Sequence, residues 1–249
     1  MIIDAYDENG KGIVKSSMMY NKNPMLPDTA IVVFQNRITA EVTYSPKYNA
    51  TVCDAFTGGE DKCIYVINGK NKKFTFYQST IGAPVTVMDI EQAHAKGIRK
   101  FLFIGSCGIL NDDIESNKFI IPTEAYRDEG TSYHYCECSD YIKIPTANKL
   151  ANILDGLKIP YIKTKTWTTD AIFRETPSNM GKRKKEGCGV VEMECAAIMA
   201  AAKYLGIEIY QLLFPKDSLS SNVWDRNTCL KAKTPQDIFD TAILIAEKI

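Results

Sequence analysis

The stretch Val190–Val191–Glu192–Met193–Glu194–Cys195–Ala196–Ala197 joins an apolar run to two carboxylates at i and i+2, and a small-residue helix follows. Read as the end of a strand, Val190 to Glu194 projects both glutamates from one face, because strand side chains alternate with period two. On a helix the two would not face each other. Paired acids at the carboxyl end of a strand suit the recognition of a vicinal diol, such as the two hydroxyls of a ribose.

Outward from this stretch, strands alternate with helices. Ala30–Phe34, Phe101–Ile104 and Phe119–Ile121 are short apolar runs of buried-strand type, the last stopped by Pro122. Cys63–Ile67 and Phe74–Gln78 read as paired strands, with Asn68–Gly69 opening the turn region between them. Gly82–Ala83–Pro84 opens a helix that runs to Lys96 and closes at Gly97. Thr146 is the expected N-cap of a helix reaching Leu157. Tyr161–Trp167 alternates as a half-solvated strand, Ala196–Leu205 is a helix, and Ile207–Phe214 is a strand ended by Pro215. Thr234–Pro235 begins an amphipathic last helix. This order predicts an α/β fold: one domain over residues 1–249, with a central mixed sheet flanked by helices and residues 1–28 wrapping the surface.

Composition narrows the partners. Thirty Lys+Arg balance thirty Asp+Glu, so net charge gives no reason to expect a nucleic acid. Lys182–Lys185 is read as a solvated helix face, since no aromatic residue interleaves with it. No apolar stretch reaches the roughly 20 residues a bilayer span needs. Cys53, Cys63, Cys107, Cys136, Cys138, Cys188, Cys195 and Cys229 include no Cys-x-x-Cys pair; Cys107, Cys188 and Cys195, in or beside apolar runs, read as reduced core or near-core thiols, and a cytoplasmic location is expected. No zinc, nicotinamide or flavin motif occurs. Trp167 and Trp224 read as packing residues and His94 as a half-buried or surface one; for His134 the lining of a site mouth is the lesser reading.

Ligands of open α/β sheets gather at strand carboxyl ends. Four such ends carry chemistry here: Gly105–Ser106–Cys107–Gly108, Thr168–Thr169–Asp170–Ala171–Ile172–Phe173–Arg174–Glu175, Glu192–Met193–Glu194 and Lys216–Asp217–Ser218. With Ile81–Gly82–Ala83–Pro84 and Arg127–Asp128–Glu129–Gly130–Thr131–Ser132, their joint order resembles the nucleoside phosphorylase superfamily over residues 28–249. That superfamily holds purine nucleoside phosphorylases, uridine phosphorylases and related nucleosidases.

The resemblance implies cleavage of an N-glycosidic bond, with purine nucleosides favoured, through a transition state with positive charge on the sugar and negative charge on the leaving base. It implies that Glu194 binds the ribose hydroxyls and Met193 packs on the sugar. Phe173 would stack on the base, with Glu192 near the base edge and Asp217 beside N7 as general acid. Lys216 stands where the family usually has Ser; a neighbouring cation favours the ionised form of Asp217 and opposes that acid role. Family members form homo-oligomers, often with neighbour residues completing the sites.

The phosphate side departs from the family pattern. Phe34–Gln35–Asn36–Arg37 replaces the glycine-containing phosphate loop, Phe103 stands at the position of an arginine, and no basic residue lies near Thr51. Ser106, in a turn whose amides could form an anion nest, and Arg37 are the candidate phosphate ligands, with Arg127 and Lys216 as further cations. Three readings follow: phosphorolysis with inorganic phosphate as co-substrate, hydrolysis by water, and nucleoside binding without turnover. No cofactor or metal is expected under any of them.

Overall fold

Apolar runs build the centre of the sheet. The computed structural model describes residues 2–57, 62–221, 223–226 and 233–249; Cys229 lies outside them. In chain order the elements are α1 (Ser16–Met19), β1 (Thr29–Val33), α2 (Asn36–Tyr44), β2 (Thr51–Phe56), β3 (Lys62–Asn68), β4 (Lys73–Gln78) and α3 (Ala83–Ala95). Then follow β5 (Lys100–Ile109), β6 (Phe119–Asp128), β7 (Tyr141–Lys143), α4 (Ala147–Leu157), β8 (Tyr161–Thr169), α5 (Pro177–Lys185), β9 (Cys188–Glu192), α6 (Cys195–Leu205), β10 (Glu208–Ser218) and α7 (Pro235–Ala246). Every residue of β1 is buried, as expected of a parallel strand covered on both faces. Before Leu26 no described residue is buried.

The described strands form one mixed sheet in the order β10-β6-β8-β9-β5-β1-β4-β3-β2, with β7 on β6. A further pairing of β10 with β5 closes the first five strands of that order into a ring. β5 and β9 meet antiparallel only at their last residues, Gly108 against Val191 and Ile109 against Val190. The ring thereby brings the carboxyl ends of β5, β9 and β10 to one place. α6 is almost wholly apolar and buried from Cys195 to Ala201, and it packs against α3.

Three boundaries differ from the sequence reading, each for a tertiary reason. β6 runs through Pro122 and β10 through Pro215, because both prolines sit at register shifts, where a missing ladder amide is tolerated. β5 continues through Gly105–Ser106–Cys107–Gly108, where Ser106 pairs with Phe214 and Cys107 with Pro215. This segment is therefore extended strand and not a turn with converging amides. Thr146 does not cap α4 with its side chain; its hydroxyl donates to the Ile209 carbonyl at 2.5 Å. Among the described residues no helix is long and apolar enough to cross a membrane.

Candidate active site

A cavity of about 350 Å³ opens where the strand ends converge, a size suited to a small ligand. Its wall takes Phe34 and Gln35 from the end of β1, Ser106 to Gly108 from β5, Val191 to Glu194 from β9 and the segment after it, and Lys216 and Asp217 from β10. Ile81 before α3, Ile172, Phe173 and Glu175 after β8, Leu219 and Trp224 complete it. Glu192, Met193, Glu194, Phe173, Asp217 and Ser106 are thus brought together. Arg37 is not: it is exposed on α2 and does not line the cavity.

The two glutamates do not share a strand face as their spacing suggested. β9 ends at Glu192, and Glu194 is the N-cap of α6 with φ −139° and ψ −30°. Glu192 is fully engaged. One carboxylate oxygen accepts from the Thr166 and Thr168 hydroxyls at 3.2 and 2.6 Å. The other accepts from the Glu194 and Cys195 amides at 2.8 and 2.6 Å. It satisfies amides at the start of α6 that would otherwise lack partners and sits at the positive end of that helix.

Glu194 is buried, and its Oε1 accepts from the Gly82 amide at 2.8 Å. That amide belongs to the N-cap of α3, where Gly82 holds φ +111°, a backbone open to glycine. Burial pushes the Glu194 carboxyl well above the usual range, and the charge of Glu192 adds to the shift; the Gly82 amide opposes it. A cationic sugar or a pair of hydroxyl donors at this spot would favour the ionised form.

A second acidic pair lines the same cavity. Asp217 follows the register shift in β10, and its Oδ2 accepts from the Trp224 indole at 3.1 Å. Gly108 lets this carboxylate approach the β5 backbone: a Cβ there would lie 2.7 Å from Leu219 and 3.1 Å from Asp217 Oδ1. Glu175 is pushed up to about 7, first by burial and then by the charge of Asp217. A carboxyl of this kind exchanges a proton near neutral pH. Phe173 is 96% exposed, so its ring has no covering layer in this chain.

At the β1 end, the Gln35 amide donates to Ser106 Oγ at 3.2 Å, and Gln35 Oε1 is buried with no hydrogen-bond partner among the described residues. Lys216 is the one cation among the described lining residues; the same lining carries the carboxylates of Glu175, Glu192, Glu194 and Asp217. Arg127 faces elsewhere. It is buried, stacks on Tyr133 with its guanidinium carbon 4.1 Å from the ring centre, and donates to Ser132, Ser139 and the Glu137 carbonyl. His134 is exposed and outside the lining. Trp224, read from sequence as a packing residue, instead stands 62% exposed at the cavity wall, because its indole is drawn to Asp217.

Glu175, Gln35, Ile172 and the Gly82 amide belong to the site yet stood out by no sequence signal of their own. Glu175 ends the motif after β8, but only the fold shows that it meets a carboxylate 42 positions further along the chain.

Comparison with known proteins bears on this arrangement. An uncharacterized protein of Acanthamoeba polyphaga mimivirus is 26% identical over 150 residues, 59% of this chain and 58% of its own length. A guanosine phosphorylase of Halorubrum lacusprofundi is 26% identical over 141 residues, 53% of this chain and 56% of its own. The chain thus spans less than two thirds of either relative. The fold matches that of a purine nucleoside phosphorylase from Toxoplasma gondii, crystallised with immucillin-H, at a TM-score of 0.75 and 16% identity, covering 90% of this chain and 91% of the other. Residues 36–243 match the phosphorylase superfamily, and the chain belongs to that family.

Proposed function

We propose that this chain cleaves the N-glycosidic bond of a ribonucleoside, with a purine as the favoured base. The observation that carries the reading is the gathering of two acidic groups in one cavity, Glu194 on the Gly82 amide and Asp217 with Glu175. Glu194 accepts from the 2′- and 3′-hydroxyls and stabilises positive charge growing on the sugar, and Met193 packs against the ring. Phe173 stacks on the base. Asp217 and Glu175 meet its polar edge, and Glu175 is the carboxyl poised to donate a proton to the departing base. Glu192 acts through Glu194 by holding the start of α6, not by touching the base.

The acceptor is inorganic phosphate in the first reading, in keeping with the family, seated between Ser106, Gln35 and Lys216 in place of arginines. One observation favours a second reading, hydrolysis: a lining with one lysine among four carboxylates is a poor seat for a dianion and an adequate one for water. Product analysis separates the two. Guanosine, inosine, adenosine and uridine are incubated with and without phosphate; phosphate-dependent ribose 1-phosphate supports the first, and free ribose the second. Binding without product would refute both. Glu194→Ala should lower turnover by orders of magnitude, and near-full activity in that variant would remove the ribose contact.

The mouth of the cavity is apolar and open, with Ile81 61%, Ile172 51%, Phe173 96% and Trp224 62% exposed. Such a rim supports a homo-oligomer in which a second copy covers the site. Sedimentation of the protein at micromolar concentration tests this, and a monomer would overturn it.

A further inference from the structure

Helix α3 carries an unusual buried face. Thr86, Asp89 and Gln92 are each at most 2% exposed, and Lys96 follows. Their spacing of three, three and four places them along one side of the helix. Each has a partner outside α3. The Thr86 hydroxyl reaches the Thr80 and Gly82 carbonyls at 3.2 and 3.0 Å, so its single proton bridges the turn before the helix. Asp89 is ion-paired with Lys62 and accepts from Ser79 at 2.9 Å; the same serine lies 3.4 Å from Thr86. Gln92 exchanges hydrogen bonds with the Thr57 backbone, donating at 3.1 Å and accepting at 3.2 Å. Lys96 pairs with Asp54 at 2.8 Å.

An apolar helix face tolerates small axial slips, whereas directional bonds of fixed length do not. A polar row here therefore sets the axial position of α3 against β2, β3 and the segment after β4. The element at the end of that row is Gly82, whose amide holds Glu194. We propose that Asp89, anchored by Lys62 and Ser79, is a positioning residue that fixes the start of α3 so that the Gly82 amide keeps Glu194 aimed into the cavity. This inference rests on the reading of Glu194 as the ribose-binding acid.

The test compares ribonucleosides with their 2′-deoxy counterparts, guanosine with 2′-deoxyguanosine and adenosine with 2′-deoxyadenosine. The readout is the ratio of kcat/KM within each pair. A merely structural change lowers both members alike; a misaimed Glu194 lowers the ribonucleoside more. Asp89→Asn and Ser79→Ala should reduce the ratio by threefold or more, and Glu194→Gln should reduce it by about tenfold. Should Asp89→Asn fail to fold, Ser79→Ala carries the test, because it removes a hydrogen bond that Asp89 accepts and leaves the ion pair with Lys62. An unchanged ratio in Asp89→Asn, or in Ser79→Ala where the first does not fold, beside a reduced ratio in Glu194→Gln overturns the positioning role alone. An unchanged ratio in Glu194→Gln overturns the ribose contact, and this inference falls with it.

Discussion

Replacing Glu192 by alanine should unfold the protein more readily than any comparable change at Glu194, although the two lie two residues apart. Glu192 receives four hydrogen bonds, two from backbone amides that no other acceptor serves. An unsatisfied buried amide costs about 1–3 kcal/mol. The Thr166 and Thr168 hydroxyls can turn toward other acceptors, so most of the loss comes from the two amides. Removing a buried charge offsets part of it, since burial already pushes Glu192 upward. The net expectation is a loss on the order of 3 kcal/mol, a large share of the 5–15 kcal/mol that holds most domains. Glu194→Ala strands one amide, Gly82, and relieves repulsion from Glu192, so its stability should change by about 1 kcal/mol or less. Urea unfolding at pH 7, followed by tryptophan fluorescence and far-ultraviolet circular dichroism, measures both. A loss below about 1 kcal/mol for Glu192→Ala would refute the claim that its carboxylate organises the start of α6.

Two further outcomes follow from the site. Glu175 binds its proton more tightly when folded, because its folded value of about 7 lies above the ordinary 4.5. The carboxyl therefore lowers stability progressively as pH rises between those values, and the penalty is full above them. Glu175→Gln should raise the thermal midpoint at pH 8 and leave it nearly unchanged at pH 4; equal shifts at both would show that Glu175 is not shielded. Gly82→Ala meets no atom within 4 Å, so its penalty comes from φ +111° alone, about 1–3 kcal/mol. A variant as stable as the parent would mean the turn accommodates an L-residue, and Glu194 should then keep its amide.

Much of the architecture was legible along the chain. The uninterrupted apolar run Ala30–Val33 and the small-residue helix after Glu194 each declare burial by local pattern, and the structure carries both. Convergence of Met193, Glu194, Phe173 and Asp217 on one cavity was legible only through their joint order, since they lie on three separate segments. Pro122 and Pro215 misled because a proline ends a strand by a local rule, while a register shift set by the neighbouring strand lets the strand continue. Arg127 looked like a spare cation; its burial under Tyr133 and Ser132 is a property of the folded neighbourhood.

Local chemistry, then, determined which segments become strands and helices and which acids stand at their ends, because periodicity and side-chain type act over a few residues. The tertiary structure decided what each acid does. Glu192 and Glu194 are near twins in sequence, yet one meets two amides at the start of α6 and the other the amide of the α3 N-cap. Glu175 gains its raised affinity for a proton first from burial and then from the charge of Asp217, a residue of another strand end. Such assignments depend on how the folded elements meet: closure of the five-strand ring gathers the strand ends, and α3 packs on α6, whose N-cap Glu194 accepts from the Gly82 amide.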